Sequence, residues 1–179
     1  RGYKDLVMVT LGTGVGGGII TNGQLVTGVK GGAGEIGEIL VDYETTENGE
    51  KISRNLEYYA SATGIVRLAK SMMSYNNKTT LLSEEDITAK AIFDAVKTGD
   101  QFAIEIADRF GCYLGQALTN LAVTLEPEIF VIGGGVSKAG DALLEVVKKY
   151  YHNSNSKLAL ATLGNDAGIY GAAKMALKM

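Results

Sequence analysis

The stretch VMVTLGTGVGGGIITNGQLVTGVKGGAGEIG, Val7 to Gly37, sets two glycine clusters on either side of a hairpin, and its reading decides the fold. Leu6 to Leu11 is an apolar, β-branched run. Gly12-Thr13-Gly14 then frees the backbone so that bare N–H groups can meet a phosphate. The spacing Gly12, Gly14, Gly17 formally matches G-x-G-x-x-G, but a dinucleotide-binding turn of that kind must open a helix, and no helix signal follows. Instead Val15 to Thr21 continues as a second strand, Asn22-Gly23 makes a two-residue hairpin turn, and Gln24 to Val29 returns as a third strand. The loop therefore sits at the tip of an antiparallel meander. Glycines that serve only tight turns and bulges are the competing reading.

Composition bounds the rest. A chain of 179 residues, 46% hydrophobic and 21% charged, is enough for one domain with a sizeable core. A net charge of −3 and the absence of any Lys or Arg stripe exclude an electrostatic footprint for nucleic acid. Cys112 is the only cysteine and lies in an apolar helical pattern, so it reads as a core thiol; disulfides within the chain and cysteine metal sites are excluded. His152, the only histidine, stands in the polar stretch Tyr151 to Ser156 and reads as a solvated loop residue, leaving zinc-protease and Ser-His-Asp chemistry without support. With no signal peptide and no apolar segment of spanning length, the expectation is a soluble, cytoplasmic protein without a membrane partner. The chain begins at Arg1 without a methionine and enters a strand almost at once, which points to a fragment.

Beyond the meander, Gly31 to Glu38 is too glycine-rich for a helix and too apolar for a linker, and so can wrap a small ligand. Its acids Glu35 and Glu38 can accept hydroxyl hydrogens from a polyol, or can be solvated loop acids. Asp42 to Asn55 reads as an exposed polar excursion turning at Asn48-Gly49. A helical period starts near Glu57, with Tyr58, Ala62, Ile65, Ala69 and Met72 on one side, and ends at a polar break over Ser74 to Thr80. Ser83-x-x-Asp86 resembles a capping box before a helix bearing Ile92 and Val96. Phe102, Ile106, Phe110, Leu114, Leu118, Leu121 and Leu125 form one stripe and predict a long buried helix ended by Pro127. Glu128 to Ile132 is a strand running into Gly133-Gly134-Gly135 and a helix with Leu143, Val146, Val147 and Tyr150 inward, a βα unit whose glycines admit a flat ligand group. Leu158 to Thr162 is a last strand, followed by a glycine-containing loop and a small-residue helix over Tyr170 to Lys178.

Five segments carry a resemblance. LGTGVGGGII (Leu11 to Ile20), AGEIG (Ala33 to Gly37), EYYAS (Glu57 to Ser61), EPEIFVIGGGVS (Glu126 to Ser137) and LGNDAGIYGAA (Leu163 to Ala173) are together similar to the ROK family of bacterial sugar kinases and repressors, glucokinases above all. The resemblance implies an α/β fold: an actin-like, ribonuclease-H-like ATPase lobe with an opening antiparallel meander and helices on a mixed sheet. It implies that residues 1–179 are the carboxyl-terminal lobe of a two-lobed kinase that moves the γ-phosphoryl of MgATP to the 6-hydroxyl of glucose or a related hexose. Gly12, Thr13 and Gly14 would meet the ATP phosphates, and Gly133, Gly134 and Gly135 would lie against the adenosine. Glu35 and Glu57 would bond the hexose hydroxyls, and Gly32 and Glu38 would also be substrate-binding. The lobe with the general-base aspartate and the D-x-G-G-T loop is absent here, so no catalytic residue is assigned and the chain alone should not catalyse. A homodimer is implied for the full-length protein. The other branch of the family implies a different role, the sugar-sensing lobe of a transcriptional repressor.

One departure from the family is informative. Glu38 stands where most members carry a zinc-binding histidine, and Asn48, Glu50 and Asn55 stand at three zinc-binding cysteines. Such a set offers no soft ligand, and no zinc is expected.

Overall fold

The centre of the sheet is β1 (Leu6–Leu11), with Val7, Val9 and Leu11 fully buried on one face as the alternation requires. The computed structural model describes residues 2–75 and 78–177. Along one side β1 pairs antiparallel with β2 (Val15–Thr21), setting Val9 opposite Gly17. Along the other it pairs in parallel with β6 (Ile129–Gly133), setting Val9 opposite Ile132. With β3 (Gln24–Leu25) and β7 (Lys157–Leu160) the described sheet runs β3-β2-β1-β6-β7, and β7 is parallel to β6. This mixed sheet matches the expected meander, except that β3 is two residues long rather than reaching Val29. Gly28 turns the chain away at φ +71°, and Val29 stands fully exposed.

The polar excursion is a second, two-stranded sheet. β4 (Leu40–Thr45) and β5 (Lys51–Asn55) pair antiparallel around a turn in which Gly49 N donates to Thr46 O at 2.9 Å. Its strands are polar because they project from the body, so alternation gave no strand signal.

The helix expected from Leu56 onward is two helices, α1 (Leu56–Ala60) and α2 (Ala62–Met73). Ser61 breaks them at ψ 167° and caps the second, its Oγ accepting from Gly64 N at 2.9 Å. The break over Ser74 to Thr80 falls partly outside the described residues, at 76 and 77. The capping box at Ser83-x-x-Asp86 is not formed. α3 (Ala89–Lys97) is capped by Thr88, whose Oγ1 accepts from Ala91 N at 3.0 Å. Leu82 and Ile87 are buried and pin both ends of the segment, so the acids between them turn outward.

α4 (Gln101–Leu125) is the long buried helix predicted by the stripe. Asp100 caps it, accepting from Ala103 N at 2.9 Å, and Glu126 ends it in the left-handed region (φ 44°) before Pro127. Phe102, Ile106, Phe110, Leu114 and Leu118 are 0–1% exposed along its inner face, and α1, α2, α3 and α5 (Asp141–Lys148) all pack on it. Cys112 lies on its flank and is half-buried rather than core, with Gln116 Nε2 at 3.4 Å from its sulfur; burial pushes its thiol up. A 3-10 turn (Val136–Ala139) comes between the triple glycine and α5, and Tyr150 lies just beyond that helix. His152 is exposed, as its polar surroundings predict. α6 (Ala167–Ala176) leaves Ile169 and Tyr170 bare at 71% and 62% exposure; Lys178, expected at its end, lies outside the described residues. No described helix is long and apolar enough to cross a membrane.

Candidate active site

Gly12-Thr13-Gly14 joins β1 to β2, and its carbonyls are taken by the start of α2. Ala62 N donates to Gly12 O at 2.7 Å, and Thr63 Oγ1 donates to Thr13 O at 3.0 Å. Inside the loop Gly12 N turns back to Gly14 O at 2.9 Å. That N–H is therefore not bare, contrary to the expectation for it. The N–H groups of Thr13 and Gly14 have no protein acceptor among the described residues and are the two donors left for an anion.

The loop and Glu57 form one structure. Glu57, in the first turn of α1, accepts from Val15 N at 2.9 Å through Oε2. A side chain on Gly14 would collide with that carboxylate, so glycine is required for the close approach. Sequence places the two more than forty positions apart; the fold puts them in contact.

On the other side of the loop opens a cavity of about 470 Å3. It is walled by Gly12 and Thr13, by Gly135, Val136, Lys138 and Ala139, and by the face of α3 with Lys90, Asp94 and Lys97. Of the triple glycine only Gly135 lines it. Gly133 is buried against Met8 and Ala161, and Gly134 (φ +86°) lies on the Leu11 backbone, where an added Cβ would strike Leu11 O. These two glycines thus serve the junction of β6 with β1, and Gly135 alone faces the cavity. The α3 wall escaped sequence reading because Lys-x-x-x-Asp-x-x-Lys looks like any solvated helix face. Lys90 Nζ lies 2.5 Å and Lys97 Nζ 3.4 Å from Asp94, and the Lys90 hydrogen bond leads in holding the Asp94 carboxyl below its usual range. With Lys138, three lysines face one aspartate around the cavity, a net positive lining suited to a polyphosphate. The room, the two bare N–H groups and this charge fit a nucleotide.

Glu35 precedes and Glu38 ends a 3-10 turn (Ile36–Glu38) whose Ile36 is buried. Leu56 N donates to Ile39 O at 2.8 Å, so the turn is held beside the start of α1, the helix that carries Glu57. Glu35 is exposed and its carboxylate has no protein partner among the described residues. Glu38 Oε2 accepts from Asn55 Nδ2 at 3.0 Å. Gly32 is exposed with open space around it and is brought against none of these acids by any described contact.

Asn55 thus spends its amide on Glu38, and its companions at the zinc positions are Asn48 and Glu50, so the residues present do not fit a zinc ion. The hairpin is fastened another way. Tyr59 and Tyr113 stack at 3.8 Å with 5° between their planes, and their hydroxyls lie 3.1 and 2.8 Å from Asp42 Oδ2. Arg54 Nε donates to Glu44 Oε2 at 2.7 Å and its guanidinium lies over the Tyr58 ring at 4.2 Å. Burial and the bond to Asp42 push Tyr113 up to about 12. For Asp42, burial works upward but is outweighed by hydrogen bonds from Tyr113, the Tyr43 N–H and Tyr59, which hold it below the ordinary range.

Because the folded pKa of Asp42 lies below its unfolded value of 3.8, its contribution is complete above that pH and is lost as acid passes the folded value. Asp42→Ala is expected to cost about 3 kcal/mol, two hydrogen bonds to a charged acceptor at the lower end of their usual worth, and to flatten the acid limb of stability below about pH 4. Urea titrations of both forms between pH 3 and 7 would check it; equal midpoints at pH 7 would refute the fastening.

A mixed sheet with helices on its face, a glycine loop between its first two strands and a cavity beside the ends of β1 and β6 is the actin-like ATPase fold of the ROK sugar kinases. The chain belongs to the ROK family, whose profile matches residues 1–179. It is 43% identical over 185 residues to a glucokinase of Halalkalibacterium halodurans, covering 95% of this chain and 55% of that one. It is 32% identical to an N-acetylmannosamine kinase of Escherichia fergusonii, covering 96% of this chain and 56% of that protein. A crystal structure of a ROK family glucokinase from Streptomyces griseus in complex with glucose and AMPPNP superposes with a TM-score of 0.84 at 32% identity, covering 98% of this chain and 61% of the other. The chain spans between half and two thirds of the length of these relatives.

Proposed function

We propose that this chain is the carboxyl-terminal lobe of an ATP-dependent sugar kinase that phosphorylates glucose or a closely related hexose at its 6-hydroxyl. The observation that carries the reading is the contact between Glu57 and the phosphate loop. One oxygen of the acid is bound to Val15 N and the other has no partner among the described residues, so a sugar held there lies directly beside the loop that meets the phosphates. On the far side, the positively lined cavity takes ATP with its magnesium. Thr13 and Gly14 donate their N–H groups to the phosphates, and Gly135 with the turn after it walls the nucleoside. Glu35, Glu38 and Glu57 accept sugar hydroxyl hydrogens and orient the 6-hydroxyl; positioning and charge neutralisation supply most of the rate in such transfers. The base that takes the hydroxyl proton belongs to a second lobe, for which the bare apolar side chains of α6 offer a surface. The higher identity to a glucokinase, 43% against 32% to an N-acetylmannosamine kinase, favours glucose over N-acetylmannosamine.

The open, cationic cavity also favours a kinase over a sugar-sensing repressor lobe, which has no use for a nucleotide site. ADP production from MgATP is the test, in the full-length protein and in residues 1–179 alone, over glucose, mannose, N-acetylmannosamine and fructose. The expected result is turnover of glucose by the full-length protein and none by the isolated lobe. Sugar binding without ADP formation by the full-length protein would support the repressor.

A further inference from the structure

Asn55 ends β5 and caps α1, and both ends of its side chain are engaged. Oδ1 accepts from Tyr58 N at 3.0 Å, and since that partner is only a donor the orientation of the amide is settled. Nδ2 is thereby turned to Glu38, donating to Oε2 at 3.0 Å. The backbone on either side is held in register: Leu40 stands opposite Asn55 in the hairpin, and Leu56 N donates to Ile39 O at 2.8 Å. Two positions on, Glu57 reaches Val15 N. One carboxamide therefore ties the loop acid Glu38 to the helix that presents Glu57. Free of that tie, Glu38 is an exposed side chain on a three-residue turn, with all its rotamers open. Only one oxygen of Glu38 is occupied, which leaves Oε1 for a ligand hydroxyl at a position dictated by the amide.

We propose that Asn55 is a positioning residue that sets Glu38 at a defined separation from Glu57 and so governs how tightly the site takes up a hexose. This rests on the sugar-kinase reading above. Polarity matters as much as reach: an amide donates to Glu38, whereas a carboxylate in its place repels it.

The test is kinetic, in the full-length protein. Asn55→Asp keeps an oxygen for the Tyr58 cap and turns a like charge on Glu38. It is expected to raise the KM for the preferred sugar about tenfold while kcat and the KM for ATP stay within about twofold of wild type. The thermal midpoint should fall by no more than a few degrees, because aspartate caps helices about as well as asparagine. Glu38→Gln supplies a donor at the other end, so in that background Asn55→Asp should add nothing to the sugar KM. An unchanged KM in Asn55→Asp, or the same rise in both backgrounds, overturns the proposal, the second result marking a merely structural role. Wild-type turnover separates the two levels: no sugar phosphorylation by the wild-type protein removes the kinase reading and this inference together. Normal wild-type turnover with a flat Asn55→Asp response removes this inference alone.

Discussion

Glu57→Ala, made in the full-length protein, is expected to lower kcat/KM for glucose by about 10²–10³-fold. The carboxylate carries two tasks on the proposed reading, one oxygen anchoring Val15 N at 2.9 Å and the other receiving a sugar hydroxyl. Hydrogen bonds to a charged acceptor contribute about 1.5–3 kcal/mol each, and every 1.4 kcal/mol is a factor of ten, so losing both near the lower end, about 3–4 kcal/mol in all, gives that range. The loss should divide between substrates. The sugar KM rises because its ligand is gone, and the KM for ATP rises less, because the phosphate loop loses an anchor at its exit yet keeps the bonds from Ala62 and Thr63. Glu57→Gln keeps an oxygen for Val15 and gives up only the charge, so it should fall between the two, near tenfold. Steady-state ADP formation at varied sugar and ATP would decide. A Glu57→Ala variant within threefold of wild type would remove this acid from the site.

The second large effect is on stability. Gly134→Ala is expected to cost about 3 kcal/mol or more, because the residue sits at φ +86° and a Cβ there would strike the Leu11 backbone. In a chain of this size that lowers the thermal midpoint by about 6–12 °C. Gly135→Ala makes the contrast. Gly135 is in the right-handed helical region with nothing within 4 Å of an added Cβ, so it should keep its stability and instead weaken nucleotide binding, since it faces the cavity. Calorimetric melts with nucleotide titrations on both variants separate the effects, and a Gly134→Ala protein that melts like wild type would refute the packing role.

The two glycines look identical in the sequence, where Gly133-Gly134-Gly135 reads as one ligand-facing cluster. Only the tertiary fold distinguishes Gly134, where the missing Cβ leaves room for the Leu11 backbone, from Gly135, which has open space around it. The same limit applies elsewhere. The exposed face of α3 carries three charges at helical spacing, a pattern shared by most solvated helices, and nothing local reveals that it overhangs the loop after β1. The α3 cap moved from Ser83 to Thr88 because the burial of Leu82 and Ile87, a tertiary event, decides where the chain can enter the helix.

By itself the sequence determined whatever depends on near neighbours along the chain. The β1-β2-β3 meander follows from β-branched runs, the Gly12 to Gly14 loop and the Asn22-Gly23 turn, the long α4 from an apolar stripe ending at proline, and Glu57 at a helix start from the change of period. The five ordered segments led to the ROK family because their residues are locally constrained. The tertiary structure alone decided what depends on contacts between distant segments: Glu57 against Gly14, α2 holding the Gly12 to Gly14 loop by its carbonyls, Asn55 bridging to Glu38, and two tyrosines on Asp42 securing a hairpin without zinc ligands. Each of these is a hydrogen bond or close contact between residues far apart in sequence. Its geometry exists only once the core around α4 has brought the segments together.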